Sequence, residues 1–134
     1  MKLPQKIVES LSKSTKEQKE LFQSTYNELE KTGLYFHSDK PDFVMATHPK
    51  NDINFLAIRY GTSKGTVLEI RIDSCPVDFL SMRNDTKIFE VKMKHWDSGK
   101  KPLWAIYYIS NQSDIEEVIV VIKRIMNYNP SWGR

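Results

Sequence analysis

The residues best equipped for chemistry lie together between Lys92 and Trp104. In KMKHWDSGKKPLW, five cationic or titratable side chains (Lys92, Lys94, His95, Lys100 and Lys101) and two indoles (Trp96 and Trp104) occupy thirteen positions. Ammonium groups neutralise phosphate and flat rings stack on bases. Single-strand recognition uses both parts, each stacked base contributing about 1–3 kcal/mol. Tyr108 lies four residues beyond Trp104, on the same face of an extended strand. The candidate nucleic-acid-binding set is therefore Lys92, Lys94, His95, Trp96, Lys100, Lys101, Trp104 and Tyr108. In the competing reading, outward lysines keep a strand edge from pairing with other chains while one tryptophan caps the core. The residue types alone leave both open.

Other reactive residues give weaker signals. His95 beside Asp97 is compatible with an acid–base pair, since imidazole titrates near neutrality, and equally with two groups that hold a turn. His37, His48 and His95 are far apart and lack the short spacings or companion cysteines of a zinc site, so neither metal nor cofactor is expected. Among the carboxylates Asp42, Asp52, Glu69, Asp73 and Asp78, the run Glu69-Ile70-Arg71 lacks the lysine of an E-x-K nuclease pattern. Glu69 and Arg71 are expected to point outward together and pair with neighbours. The single cysteine, Cys75, rules out an intrachain disulfide and, before Pro76, reads as a small buried hydrophobe.

Composition sets the frame. With 134 residues, 40% hydrophobic and 28% charged, the chain suits one globular domain of 1–134, as a monomer or small homo-oligomer. Net charge is only +3, short of a dense phosphate-binding stripe. The charge is uneven, however: Lys87, Lys92, Lys94, Lys100 and Lys101 share a stretch whose only acids are Glu90 and Asp97. No segment reaches the run of about 20 apolar residues that spans a membrane. With no secretory-type apolar run near Met1, a cytoplasmic protein is expected.

The elements that must position these residues follow from periodicity and caps. Pro4 at a first helical position, with Ile7, Val8 and Leu11, predicts a short N-terminal helix within 1–14. Ser14 with Glu17, or Thr15 with Gln18, makes a capping box for a helix over 15–32 ending at Gly33. Its apolar stripe is Leu21, Phe22, Tyr26 and Leu29. Strands are predicted near 34–37, 42–47, 53–60 and 66–72, the last two joined by the turn Gly61 to Gly65. Residues 73–85 read as a loop with at most one helical turn. Two more strands cover 87–95 and 103–109, with Tyr107 and Tyr108 on opposite faces.

Val118 to Ile122 is β-branched throughout and would suit a strand. Ser113 with Glu116 forms a capping box, Asp114 suits a helix start and Lys123 and Arg124 suit its end, so 113–127 reads as a helix. Its apolar face is Ile115, Val118, Ile119, Ile122, Ile125 and Met126. The tail 128–134 is expected to fray, although Trp132 has the means to dock. The order implies an α+β fold: a largely antiparallel sheet of about five to six strands, with N-terminal helices and a C-terminal core-facing helix.

Four pieces carry a likeness to a known family: Ile53 to Gly61, Thr66 to Ile72, His95-Trp96 with Gly99, and Asp114 to Met126. Over about residues 15–127 the chain resembles a small domain of unknown function found alone or at the C-terminal end of restriction-type nuclease proteins. That domain is a relative of the YjbR/MmcQ-like family, often labelled DNA-binding. It departs from the pattern where Asp97 follows Trp96 in place of a glycine. The resemblance implies contact with DNA or RNA, or with a nucleic-acid-processing partner. It carries over no catalytic residue.

The leading expectation is a non-enzymatic binding module acting through the Lys92 to Trp104 hairpin. An alternative is a protein-interaction or regulatory domain in bacterial or phage defence, using the helical side of Leu21, Phe22 and Tyr26. A further alternative is a small enzyme using His95 and Asp97.

Overall fold

In the computed structural model, residues 3–38, 42–61, 63–73, 75, 88–93 and 103–132 are described, 88–93 and 103 as backbone only. Helix α1, Gln5–Ser12, starts behind Pro4, which occupies the N-cap position just outside it. Only Ile7 of this helix is buried. Val8 turns to solvent because it lies one step round the helix from the contact line. Helix α2, Lys16–Glu30, is capped by the second of the two possible boxes. Thr15 Oγ1 accepts from the Gln18 N–H and Gln18 Oε1 accepts from the Thr15 N–H, each at 3.2 Å. Gly33, at φ +87°, takes the chain out of the helix in a conformation that side chains with a Cβ rarely adopt.

The strands are β1 (Phe36–His37), β2 (Phe43–Thr47), β3 (Asn54–Gly61), β4 (Gly65–Arg71), β5 (Ile88–Met93) and β6 (Leu103–Ile109). They form one antiparallel sheet in the order β1-β2-β3-β4-β6-β5. The fold is thus α+β, as the order of elements implies. Gly65, at φ +74°, closes the tight β3–β4 turn. The strand order contains one step that sequence proximity hides. β6 lies between β4 and β5, so the β5–β6 hairpin is built onto the sheet with its second strand inward.

Helix α3, Gln112–Asn127, confirms the helical reading of the β-branched run. Its cap lies two residues earlier than the Ser113 box. Asn111 Oδ1 accepts from the Asp114 N–H at 3.0 Å, and Asp114 Oδ2 accepts from the Ser110 N–H at 2.7 Å. The buried face is also rotated slightly: Val121 is buried with Ile115, Val118, Ile122 and Ile125, while Ile119 and Met126 are only partly covered.

The main core lies between the helices and one sheet face. Phe22, Tyr26 and Leu29 of α2 meet Leu56, Ile58 and Tyr60 of β3, Leu68 and Ile70 of β4, and Tyr107 of β6. The tail is not frayed over its described part. Trp132 is buried, donates from Nε1 to the Asp73 carbonyl at 2.5 Å and lies against the His48 and Phe55 rings. The indole supplies enough apolar area to hold a polar segment down. Most of the 73–85 loop is outside the described residues. No described helix is long and apolar enough to cross a membrane.

Candidate nucleic-acid interface

Alternation assigns the other sheet face. Phe43 pairs with Arg59, Arg59 with Val67 and Val67 with Tyr108, while Ala57 pairs with Glu69 and Glu69 with Ile106. Directly opposed residues project to the same side. Phe43, Arg59, Val67, Glu69, Ile106 and Tyr108 therefore share the face away from the helices.

At the end nearest the β3–β4 turn this face holds a depression of about 340 Å³, whose lining includes Asp42, Arg59, Lys64, Val67, Glu69, Ile106 and Tyr108. The Lys64 ammonium sits 5.2 Å from the Tyr108 ring centroid, and the Arg59 guanidinium 4.3 Å from that of Phe43. Both are within cation–π range. Arg59 is also held by carboxylates: Nε donates to Glu69 Oε2 at 2.8 Å, and Nη1 lies 3.6 Å from Asp42 Oδ2. Glu69 is buried and Arg59 half-exposed. The guanidinium is therefore fixed in place and largely neutralised, whereas Lys64 has its cation over a ring.

The candidate set from the sequence divides. Tyr107 is buried, with its hydroxyl donating to Glu117 Oε2 at 2.8 Å, and Tyr108 is half-buried on the other face, matching the expected split. Trp104 corrects the expectation of an exposed indole. It is only 2% exposed, in a small cluster with Met45, Ala57 and Phe43. The reason is packing across the sheet face, where Met45 and Phe43 of β2 and Ala57 of β3 cluster with the indole. Lys92 pairs in register with Trp104 on the edge strand β5. Lys94, His95, Trp96, Lys100 and Lys101 lie outside the described residues, as does Asp97.

The alternative surface on α2 is also corrected. Phe22 and Tyr26 are buried in the main core, where Phe22 packs edge-on against Tyr60 at 5.7 Å, so only Leu21 of that trio is partly open. Leu21 lines a groove of about 610 Å³ between α2 and the start of α3, rimmed by Glu17 and Glu20. Those carboxylates repel phosphate.

His37 and His48 are each tied into local structure. His37 Nε2 is 3.0 Å from Asn54 Oδ1, and both His48 nitrogens are bonded to backbone. Glu69 and Arg71 pair as expected, to Arg59 and Asp73, but both are buried instead of outward. Burial pushes the Cys75 thiol up to about 12, with the Asp73 charge adding to the effect. Almost no thiolate then exists at neutral pH. Among the described residues no three His, Cys, Asp or Glu side chains converge as metal ligands.

Reading the strands one at a time misses Arg59, Lys64 and Phe43, and places Asp42 only among the carboxylates of a nuclease pattern. One signal was present: Arg59 is the only charge in INFLAIRY, and the short Gly61 to Gly65 turn sets it diagonal to Glu69 across the hairpin. Comparisons with protein-family models, with curated proteins and with solved structures found no match for the chain.

Proposed function

We propose that the chain is a non-enzymatic binding module that takes single-stranded nucleic acid across the depression beside the β3–β4 turn, with the β5–β6 hairpin extending the contact surface. The observation that carries this reading is the Lys64–Tyr108 pair. It sets an ammonium group 5.2 Å from a half-buried ring, beside a recess of about 340 Å³ with Val67 and Ile106 in its lining. A base stacking on the tyrosine gains about 1–3 kcal/mol, and the lysine it displaces from the ring would be free to meet the adjoining phosphate. Arg59 contributes direction more than net charge, since Glu69 and Asp42 hold it. The basic stretch Lys92 to Lys101 would supply further phosphate contacts, and the family resemblance points to the same class of ligand.

The test is fluorescence anisotropy with labelled oligothymidylate and oligouridylate at several salt concentrations. Binding is expected to weaken with salt, with a slope of about −0.7 per phosphate neutralised. Tyr108→Ala should weaken binding by about tenfold, equivalent to roughly 1.4 kcal/mol of lost stacking. Lys64→Glu should weaken it and flatten the salt slope by about one contact, and Lys94→Glu with Lys100→Glu should flatten it further. No binding at low salt, or affinity indifferent to both Lys64→Glu and Tyr108→Ala, would overturn the proposal.

A further inference from the structure

Five contacts hold the C-terminal tail, and one of them is to a histidine that has no exposed surface. His48 Nδ1 accepts from the Lys50 N–H at 3.1 Å, and Nε2 lies 2.6 Å from the Ile125 carbonyl near the end of α3. A nitrogen that accepts from an N–H carries no proton, so Nε2 bears the hydrogen and donates it, and the ring is neutral. The His48 ring packs against Phe55 at 5.2 Å, tilted by 68°, and against Trp132 at 5.5 Å, near perpendicular. Trp132 stacks on Phe55 at 6.3 Å and lies under the Arg71 guanidinium at 4.8 Å. Asn51 Nδ2 donates to the Pro130 carbonyl at 3.4 Å, and Trp132 Nε1 to the Asp73 carbonyl at 2.5 Å.

This arrangement has no place for a second ring proton. A proton can add only to Nδ1, where it would face the Lys50 N–H and convert an acceptor into a donor opposed to a donor. The cation so formed would be fully buried, which is costly without a counter-charge. Among the described residues the charged groups around it do not supply one: Asp52, in the same turn, is exposed to solvent. Lys50, on its own turn, repels it; Arg71 of β4 lies across the indole; the Asp73 carboxylate is engaged by Arg71 at 2.8 Å; Arg124 in the last turn of α3 is cationic. Only the backbone groups of Ile125 and Tyr128 favour the charged form.

We propose that residues 128–132 form a proton-operated strap: protonation of His48 expels the imidazole, and Trp132, losing its edge partner, lifts from Phe55 and Arg71 while the sheet and helices stay folded. Phe55 belongs to the main core and sits where the β2–β3 register shifts, so release uncovers its phenyl ring and the Arg71 guanidinium at that end of the sheet. The proposal stands whether or not that face binds nucleic acid.

The experiment is ¹⁹F NMR of protein labelled with 5-fluorotryptophan, with the Trp132 signal assigned by Trp132→Phe and the His48 Cε1–H followed in parallel. On acidification the Trp132 signal should shift to an exposed position with the same midpoint as His48, below the ordinary histidine value of 6.5, while the buried Trp104 signal stays in place. His48→Gln keeps a donor for the Ile125 carbonyl but cannot titrate, and should abolish the shift over that range. The proposal is overturned if Trp132 and Trp104 move together, if Trp132 is indifferent to His48 titration, or if His48→Gln leaves the midpoint unchanged. Should His48→Gln fail to fold, coincidence or separation of the two midpoints in the unaltered protein decides alone.

Discussion

A lone cysteine invites a catalytic reading, and at the scale of single residues its surroundings answer it. Cys75 is half-exposed but packs against the main core, and burial with the nearby Asp73 carboxylate pushes its thiol up to about 12. Since the thiolate is the nucleophile, each unit of upward shift removes about tenfold of the reactive form at a fixed pH. Reaction with a disulfide reagent at pH 8 should therefore run at least tenfold slower than for free cysteine, and reach the free rate on unfolding in urea. A native rate equal to that of free cysteine would place the thiolate in a far more polar site. The same contrast of residue type with surroundings applies to Trp104. An indole next to lysines reads as a stacking platform, yet its neighbours in space are Met45, Ala57 and Phe43.

Legibility was greatest at the scale of the element, and the limits are equally informative. Both interior strands of the β3–β4 hairpin, the β6 boundaries and the Thr15–Gln18 box follow from alternation, turn glycines and capping chemistry, all set by neighbours in sequence. The conflict over Val118 to Ile122 was decided by end groups, because a run of β-branched residues can be helical once its first N–H groups are satisfied. The cap differs from the Ser113–Glu116 box: Asn111 and Asp114 fill that role, since both patterns occur within six residues and only the chain direction leaving β6 selects between them. Beyond the two hairpins, the strand order is not legible in the sequence. Placing β6 between β4 and β5 depends on long-range pairing, and so does the contact of Trp104 with Met45, Ala57 and Phe43 that makes it a core residue.

A cap prediction follows for α3. Asn111→Ala removes the acceptor for the Asp114 N–H and should cost about 1 kcal/mol. Asp114→Ala should cost more, about 2 kcal/mol, because the carboxylate is fully buried and its loss also leaves the Ser110 N–H without its 2.7 Å acceptor. Ser113→Ala should change little. Urea midpoints for the three variants check this ordering, and an effect of Ser113→Ala equal to that of Asn111→Ala would restore the earlier cap.

At the scale of the whole molecule, the described residues make one sheet with the helices on one face and charge–ring pairs on the other, and His48 links the two regions by joining the end of α3 to the turn before β3. This gives the fold a defined dependence on pH. Burial, the larger influence, lowers the His48 pKa from its ordinary value, against the opposing pull of the Ile125 and Tyr128 backbone groups. The unfolded chain therefore takes up the proton at a higher pH than the folded one. Stability from this group is complete above the unfolded value of 6.5, falls as pH drops through 6.5, and levels off only below the folded pKa. One proton bound preferentially by the unfolded state limits the slope to about 1.4 kcal/mol per pH unit. Urea unfolding between pH 8 and pH 5 should show no contribution from His48 in the upper part of the range and a decline below 6.5, and His48→Gln should lack that component while starting from a lower stability at pH 8. If His48→Gln declined in parallel with the unaltered protein, the acid sensitivity would belong to other groups. The histidine would then act only as packing between α3 and the tail.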